Sequence, residues 1–381
     1  MTFSKIGEIK NGLLKSSPSI HMGLFGGKVG ELLFLLSYYE LTDNQEVIEY
    51  IYNELDRGIS NINFDEIGYS FSHGVSGIGW FIDLMNKKKL ISSKSDDVFE
   101  EIDSIIFHRS LNDLSLGNYD YLSGGLGAML YFLKKEIPPK AYIERYIETI
   151  DLIKEVECDN FFIYENKKRE SCNLGLSHGI PSIIAILIIA YEKKILPELS
   201  LNLINGFVNY LLKNIQDLKK KGDTYFLYST ASKNIPTRLA WCYGDLGVGY
   251  ILYRSSQILK NKEIMNLSIK ILSDTANRLD PYLNMVLDAG LCHGSAGIAY
   301  ILRKLHKMTN LQLFEDRSSY WLKKTIECGT HSDGIAGYLF LRNNSRLPLR
   351  GFLEGVSGVG ISLISSNYSI DTSWDESLLL V

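Results

Sequence analysis

The hydrophobic pattern of the chain alternates between two kinds of segment. One kind carries a single apolar stripe, as in "NQEVIEYIYNELDRGI", where Val47, Ile51 and Leu55 recur every four residues and Gly58 follows as a helix stop. "DDVFEEIDSIIF", "YIERYIETIDLIKEV" and "KEIMNLSIKILSDTANRL" show the same spacing. The other kind is apolar at nearly every position and follows a glycine-rich turn. It occurs as "GGKVGELLFLL" at Gly26, "HGVSGIGWFI" at His73, "SGGLGAMLYFL" at Ser123, "HGIPSIIAILI" at His178, "YGDLGVGYIL" at Tyr243, "HGSAGIAYIL" at His293 and "EGVSGVGISLI" at Glu354. The first glycines of these turns are Gly27, Gly74, Gly124, Gly179, Gly244, Gly294 and Gly355, at steps of 47, 50, 55, 65, 50 and 61 residues. Self-similarity at such a period is the mark of a repeat architecture.

Helices apolar on every side are buried, and helices apolar on one stripe cover them. Each step therefore predicts one outer and one inner helix. The expected fold is all-α, an (α/α)7 double-ring toroid with seven inner and seven outer helices, in a single domain over residues 1–381. Closure is expected because the terminal repeats are as apolar as the middle ones, whereas an open solenoid needs polar caps. Strand signals are scarce, with "TYFLY" near Tyr225 the one candidate. A further G-x-x-G in "SDGIAGYLF" at Gly334 lies 21 residues before Gly355, too close for a helix pair, and is read as a decoy.

Composition narrows the partners. With 45% hydrophobic and 22% charged residues and a net charge of −4, the chain reads as globular, with neither nucleic acid nor an anionic membrane as its main partner. Its most apolar run, Ile180 to Tyr191, is roughly twelve residues against the ~20 a membrane span needs. The opening "MTFSKIGEIKNGLLKSS" lacks the apolar core of a signal peptide, so a cytoplasmic location is expected. Five cysteines at irregular spacings argue for reduced thiols rather than a disulfide framework. The lysine runs at Lys87–Lys89 and Lys219–Lys221 read as solvated helix ends.

In a closed ring, equivalent positions of successive turns become neighbours. One residue before the first glycine stand Gly26, His73, Ser123, His178, Tyr243, His293 and Glu354; two before stand Phe25, Ser72, Leu122, Ser177, Cys242, Cys292 and Leu353. The two cysteines of these columns fall in adjoining repeats, with His293 beside one of them and His178 one repeat away. Two thiolates and an imidazole form a three-ligand zinc site with a fourth place for water or substrate. The plain alternative is that free cysteine is simply a residue type that buries well. Cys158, Cys172 and Cys328 lack such company and read as structural. A zinc ion held by two thiolates and a neutral imidazole is close to electroneutral, so it suits holding an incoming thiol as thiolate.

The segments "RLAWCYGDLG" (Arg238 to Gly247), "LCHGSAG" (Leu291 to Gly297), "GLSHGIPS" (Gly175 to Ser182), "YDYLSGGLG" (Tyr119 to Gly127) and "FLEGVSGVG" (Phe352 to Gly360) together resemble the lanthipeptide cyclases of the LanC-like family. The likeness spans essentially the full chain. It implies the double ring, one Zn²⁺ on Cys242, Cys292 and His293, and addition of a precursor-peptide cysteine thiol to dehydroalanine or dehydrobutyrine to form lanthionine or methyllanthionine rings. It also implies His178 and Asp120 as acid/base residues, with Arg238, Trp241 and Tyr243 as surrounding active-site positions. Ser182 departs from the glycine usual at that place.

That chemistry needs a thiolate holder, a donor at the developing amide oxyanion and an acid for the α-carbon. His178, with an ordinary pKa near ~6.5, suits the last task, Asp120 could orient it, and Arg238 could bind the oxyanion. His73 shares His178's column but is read as structural, and His21, His108, His306 and His331 carry no context. The expected partners are a dehydrated precursor peptide with its leader, a separate dehydratase, and a transporter in a membrane-associated complex. Three rival readings remain at this point. They are a six-pair prenyltransferase β-subunit, disfavoured by the seventh repeat; a glutathione-adding relative with the same zinc set; and a non-catalytic, zinc-stapled peptide scaffold.

Overall fold

The computed structural model describes residues 2–15, 19, 21–91, 96–165, 169–218, 223–233 and 235–380; the lysine run 219–221 lies outside them. Among the described residues the α-helices run in order α1 (Thr2–Lys15), α2 (Lys28–Thr42), α3 (Gln45–Ser60), α4 (Phe64–Ile67), α5 (Val75–Lys87), α6 (Asp96–Ser115), α7 (Gly125–Lys134), α8 (Lys140–Ile153), α9 (Ile180–Glu192), α10 (Pro197–Lys213), α11 (Asp245–Ile258), α12 (Lys262–Ala276), α13 (Ser295–Thr309), α14 (Gln312–Glu327) and α15 (Val356–Asn367). Two short antiparallel hairpins accompany them, β1 (Glu155–Glu157) with β2 (Asn160–Phe162) and β3 (Phe340–Arg342) with β4 (Ser345–Leu347).

Every expected turn glycine caps a helix. Gly27, Gly74, Gly124, Gly179, Gly244, Gly294 and Gly355 are the N-caps of α2, α5, α7, α9, α11, α13 and α15. These seven are the inner helices; α9 shows why, being buried without interruption from Ile180 to Ala190. The outer seven, α1, α3, α6, α8, α10, α12 and α14, alternate with them along the chain. α3 buries one stripe, Val47, Ile48, Ile51 and Leu55, and α14 buries Phe314, Ser318, Trp321 and Thr325, three or four residues apart. Each fully buried Leu or Ile stabilises the fold by about 1.5–3 kcal/mol.

Glycine supplies no capping side chain, so the orphan N–H groups of the first helical turn need backbone acceptors. The turns provide them from seven residues back. Lys28 N donates to His21 O (2.8 Å), and Val75, Gly125, Ile180, Ser295 and Val356 donate to Gly68, Asn118, Asn173, Asp288 and Leu349, each at 3.0 Å.

Two local expectations change, at Gly58 and at residues 224–228, and the decoy reading of Gly334 holds. Gly58 lies inside α3, which runs on to Ser60; a Cβ at Gly58 would stand 2.2 Å from Met22 Sδ, so the glycine serves packing rather than termination. Residues 224–228 form no strand; nearby, only an isolated bridge joins Asn173 to Ser229. The Gly334 motif starts no helix but a tight turn, with Ile335 bridged to Tyr338 and Gly337 at φ 87°, that leads into β3.

Contacts divide the chain into two compact units: Met1–Ile67, Arg238–Trp241 and Ser273–Trp374, and Gly68–Thr237, Cys242–Leu272 and Asp375–Val381. In the first unit α13 packs on α15 and α15 on α2, so the last repeat meets the first. The turns join as well: Cys292 N donates to Leu353 O and Leu353 N to Phe25 O, both at 3.0 Å. Phe25 stacks on Phe352 with centroids 6.1 Å apart, and the buried Glu31 of α2 receives Arg350 Nε at 2.8 Å and Nη2 at 2.6 Å. In the second unit the inner series runs α5, α7, α9, α11. Ser72 N donates there to Leu122 O (3.0 Å) and Ser177 N to Cys242 O (3.2 Å). The column two residues before each glycine is thus the one its backbone links from turn to turn. The chain's end, unremarked in the sequence, buries Leu378, Leu379 and Leu380, and Tyr121 Oη donates to Ser377 O at 2.6 Å.

Candidate active site

Turn six is built on Asp288. Its Oδ1 accepts Gly290 N (2.9 Å), its Oδ2 accepts Leu341 N (3.0 Å), and Gly294 N closes on Gly290 O (3.0 Å). This frame presents Cys292, 8% exposed, and His293, which is half-buried. Turn five is anchored by Leu239 N on Asn284 O (3.1 Å) and by Trp241 N on Cys292 O (3.0 Å). Cys242, 7% exposed, follows Trp241 by one peptide bond. Ligand atoms of Cys242, Cys292 and His293 all lie within 4.8 Å of one another, and among the described residues no fourth His, Cys, Asp or Glu joins the group.

The donor set decides which ion the group fits. Two sulfurs and an imidazole nitrogen suit zinc, whereas hard cations such as Mg²⁺ or Ca²⁺ demand oxygen. The cluster is therefore compatible with a metal site of the zinc type. Glu354 Oε1 stands 4.0 Å from His293 Nδ1, beyond hydrogen-bond length.

Gly244 distinguishes turn five. The other six cap glycines have extended φ between −101° and −155°, but Gly244 has φ 89°, where a side chain is strained. The first residue after it, Asp245, is buried and accepts Phe226 N at 2.9 Å, fixing the loop that precedes turn five.

A second constellation comes from turns three and four. His178 Nδ1 lies 2.5 Å from Asp120 Oδ2, and Asp120 Oδ1 accepts the N–H (2.7 Å) and hydroxyl (3.0 Å) of Ser123. Burial alone would raise the Asp120 carboxyl, but the His178 bond and charge with the Ser123 donors outweigh it and hold it below the ordinary value of 3.8. Burial likewise opposes the His178 charge, and the Asp120 bond and charge, helped by Cys242, overcome it and raise the imidazole above 6.5. Tyr243 lies against the His178 ring with centroids 5.9 Å apart, and its hydroxyl accepts Asn173 Nδ2 at 3.0 Å. Together Gly117, Asp120, Glu165, Asn173, His178 and Tyr243 line an open cavity of about 480 Å³.

Asp120, His178 and Tyr243 therefore meet at one cavity. Trp241 is fully buried and Arg238 half-buried in the stretch leading to turn five. His73 is exposed and bonded to the Ser72 hydroxyl at 2.7 Å. Cys158 is exposed in the β1–β2 turn, Cys172 is buried, and burial pushes the thiols of Cys172 and Cys328 up, away from reactivity. Ser182 is accommodated with its Oγ on Gly179 O at 2.7 Å, so α9 starts as the glycine-bearing helices do. Sequence reasoning missed Asn173 and Glu165. Asn173 had a signal: it stands two residues before Gly175, where an Asx side chain can take the N–H, and its Oδ1 does so at 2.9 Å. Glu165 lies outside every repeat motif and had none.

Comparison with known proteins agrees with this geometry. The chain is 24% identical over 378 residues to the nisin biosynthesis protein NisC of Lactococcus lactis subsp. lactis, covering 94% of this chain and 77% of that protein. Its structure matches that of a nisin cyclase, an α/α toroid, with a TM-score of 0.76 and 19% identity over 100% of this chain and 96% of that one. The present fold is accordingly an all-α toroid of that kind. The description "Lanthionine synthetase C-like protein" matches residues 18–379, and the chain belongs to that family.

Proposed function

We propose that the protein is a lanthionine-forming peptide cyclase that joins a precursor-peptide cysteine to dehydroalanine or dehydrobutyrine, within the single domain expected over residues 1–381. The observation that carries this reading is the cluster of Cys242, Cys292 and His293, three donors of zinc-binding type with no fourth protein ligand among the described residues. When bound there, Zn²⁺ would keep a substrate thiol deprotonated at neutral pH, where a free thiol of pKa ~8.5 is mostly protonated.

The chain's own residues then do the rest. Attack of sulfur on the β-carbon moves the alkene electron pair toward the amide oxygen, and a proton must reach the α-carbon. His178 would deliver it, because the Asp120 bond to Nδ1 keeps the imidazolium populated and would leave Nε2 to face the substrate. The proton lost by the thiol returns at carbon, so the product has the mass of the substrate. Tyr243 holds the imidazole face, Trp241 packs under turn five, and Arg238 is assigned to the amide oxygen. A dehydrated precursor with its leader, supplied by a dehydratase, would be the substrate in the cytoplasm. Among the described residues no helix is long and apolar enough to cross a membrane.

The test uses zinc-loaded protein and a synthetic peptide with one cysteine and one dehydroalanine. Loss of the free thiol at unchanged mass is expected. A mass gain only when glutathione is present would favour the glutathione-adding reading, and binding without thiol loss would favour a scaffold.

A further inference from the structure

Beside the His178 cavity lies a second open depression of about 450 Å³, lined by Leu116, Ile153, Ile163, Tyr164, Glu165 and Arg169 among others. The two adjoin, because Gly117, Asn118 and Glu165 border both. Its apolar residues differ in depth: Ile163 is 3% exposed, whereas Leu116 is 62% exposed at the end of α6. Its walls are braced. Tyr119, of the catalytic cavity's loop, donates its hydroxyl to Ile163 O at 3.3 Å, and Phe162 stacks on Tyr210 of α10 with centroids 4.9 Å apart. Arg169 lies 5.3 Å over the Tyr164 ring and pairs with Glu155. Among the described residues that pairing engages the guanidinium, while the exposed Glu165 accepts the Ser171 hydroxyl and keeps its charge at the border of the groove.

We propose that this groove is a subsite for the substrate peptide, holding a short extended segment that flanks the reacting pair. An apolar side chain would rest on Leu116, Ile153 and Ile163, and a lysine or arginine of the same segment would face Glu165. The inference rests on the cyclase reading. A peptide is the occupant because any chain whose reacting residues sit beside His178 must leave that cavity, and the groove is an exit that shares its border. Its combination of aliphatic surface and the exposed Glu165 carboxylate selects an apolar residue followed or preceded by a cation. Such a subsite would add affinity independently of which ring is being closed.

The probes are fluorescein-labelled peptides carrying one dehydroalanine, with serine in place of the reacting cysteine so that binding is read without turnover. One pair bears a Leu-Ser-Lys flank or a Gly-Ser-Gly flank on the N-terminal side, and a second pair bears them on the C-terminal side. In one of the two placements, anisotropy should show about tenfold tighter binding of the Leu-Ser-Lys flank, the order expected for burying one leucine. Leu116→Glu should abolish that gain, and, with a further probe bearing a Leu-Ser-Gln flank, Glu165→Gln should remove the preference for lysine over glutamine. Ile137→Glu changes another exposed aliphatic residue, 85% exposed in the α7–α8 connection, and should leave the gain intact. No flank preference in either placement, or a gain that survives Leu116→Glu, overturns the proposal. The cysteine-bearing versions separate the two readings: a flank preference without ring closure counts against the cyclase reading alone, and ring closure without a flank preference counts against the groove alone.

Discussion

Turns four and six carry nearly the same five residues, "GLSHG" (Gly175–Gly179) and "GLCHG" (Gly290–Gly294). Their backbones are built alike. The last glycine donates to the first at 2.8 and 3.0 Å, and the next residue donates seven back to Asn173 or Asp288, both at 3.0 Å. The side chain of that Asn or Asp takes the first glycine's N–H at 2.9 Å in each case. One turn nevertheless supplies a histidine bonded to a carboxylate and the other a histidine beside two thiols. The difference lies in one side-chain atom and in what stands opposite. Ser177 spends its hydroxyl on Cys242 O at 3.3 Å, whereas Cys292 offers its sulfur to the cluster; His178 faces Asp120, whereas His293 has the thiols. Turn register fixes where a residue is held, and its neighbours decide its chemistry.

The sharpest way to break this comparison is Cys292→Ser, which gives turn six the sequence of turn four. Loss of a direct ligand should exceed the ten- to hundredfold typical of outer-shell partners, so zinc affinity is expected to fall at least about a hundredfold. Chelator competition and metal analysis would read this, and thiol loss from the cysteine-dehydroalanine peptide should stop. Retention of stoichiometric zinc at nanomolar chelator would remove Cys292 from the set.

A smaller effect is expected on the turn-four side. Asp120→Asn removes the charge that raises His178, and a positioned acid typically contributes about 10²–10⁴ in rate. Ring closure should therefore slow at least tenfold with zinc content unchanged, and its decline at high pH, where the imidazolium is lost, should begin at lower pH than in the unmodified protein. Stability carries the same signature. Because the His178 pKa is raised above 6.5, its contribution is complete below that pH and fades as pH rises through the raised value. Because the Asp120 pKa is lowered below 3.8, its contribution is present above that pH and fades as pH falls through the lowered value. Urea unfolding should thus show the largest difference between the two proteins between about pH 4 and 6.5. A difference that grows toward pH 9 would contradict the pairing.

The smallest expected effect comes from exchanging the two frame residues. Asp288→Asn keeps the acceptor for Gly290 but turns an amide N–H toward the Leu341 N–H, which should cost about 1–3 kcal/mol of stability. Asn173→Asp replaces a donor to the Tyr243 hydroxyl by an acceptor for it and should cost no more than about 1 kcal/mol. Equal costs in urea titrations would show that the frames are interchangeable after all.

The sequence resolved much of this through repetition. Seven glycine turns in one register announce seven inner helices, and shared register singles out Cys242, Cys292 and the adjacent His293. Asp120 and His178 were legible only through family motifs, because they stand at different offsets from their glycines and 58 residues apart. The left-handed Gly244 was invisible, since all seven turns begin with the same residue. The groove at Leu116 and Glu165 was equally hidden, because neither residue belongs to the repeat.

By itself, then, the chain determined its all-helical repeat, the turn positions and the two cysteines and histidine that cluster, because periodicity and register are local and survive without knowledge of neighbours. Only the tertiary structure decided that Asp120 reaches His178, that Asp288 rather than a helix cap frames the metal turn, and that an apolar groove opens beside the cavity. Those outcomes depend on which non-equivalent residues packing brings face to face, and no spacing along the chain encodes that.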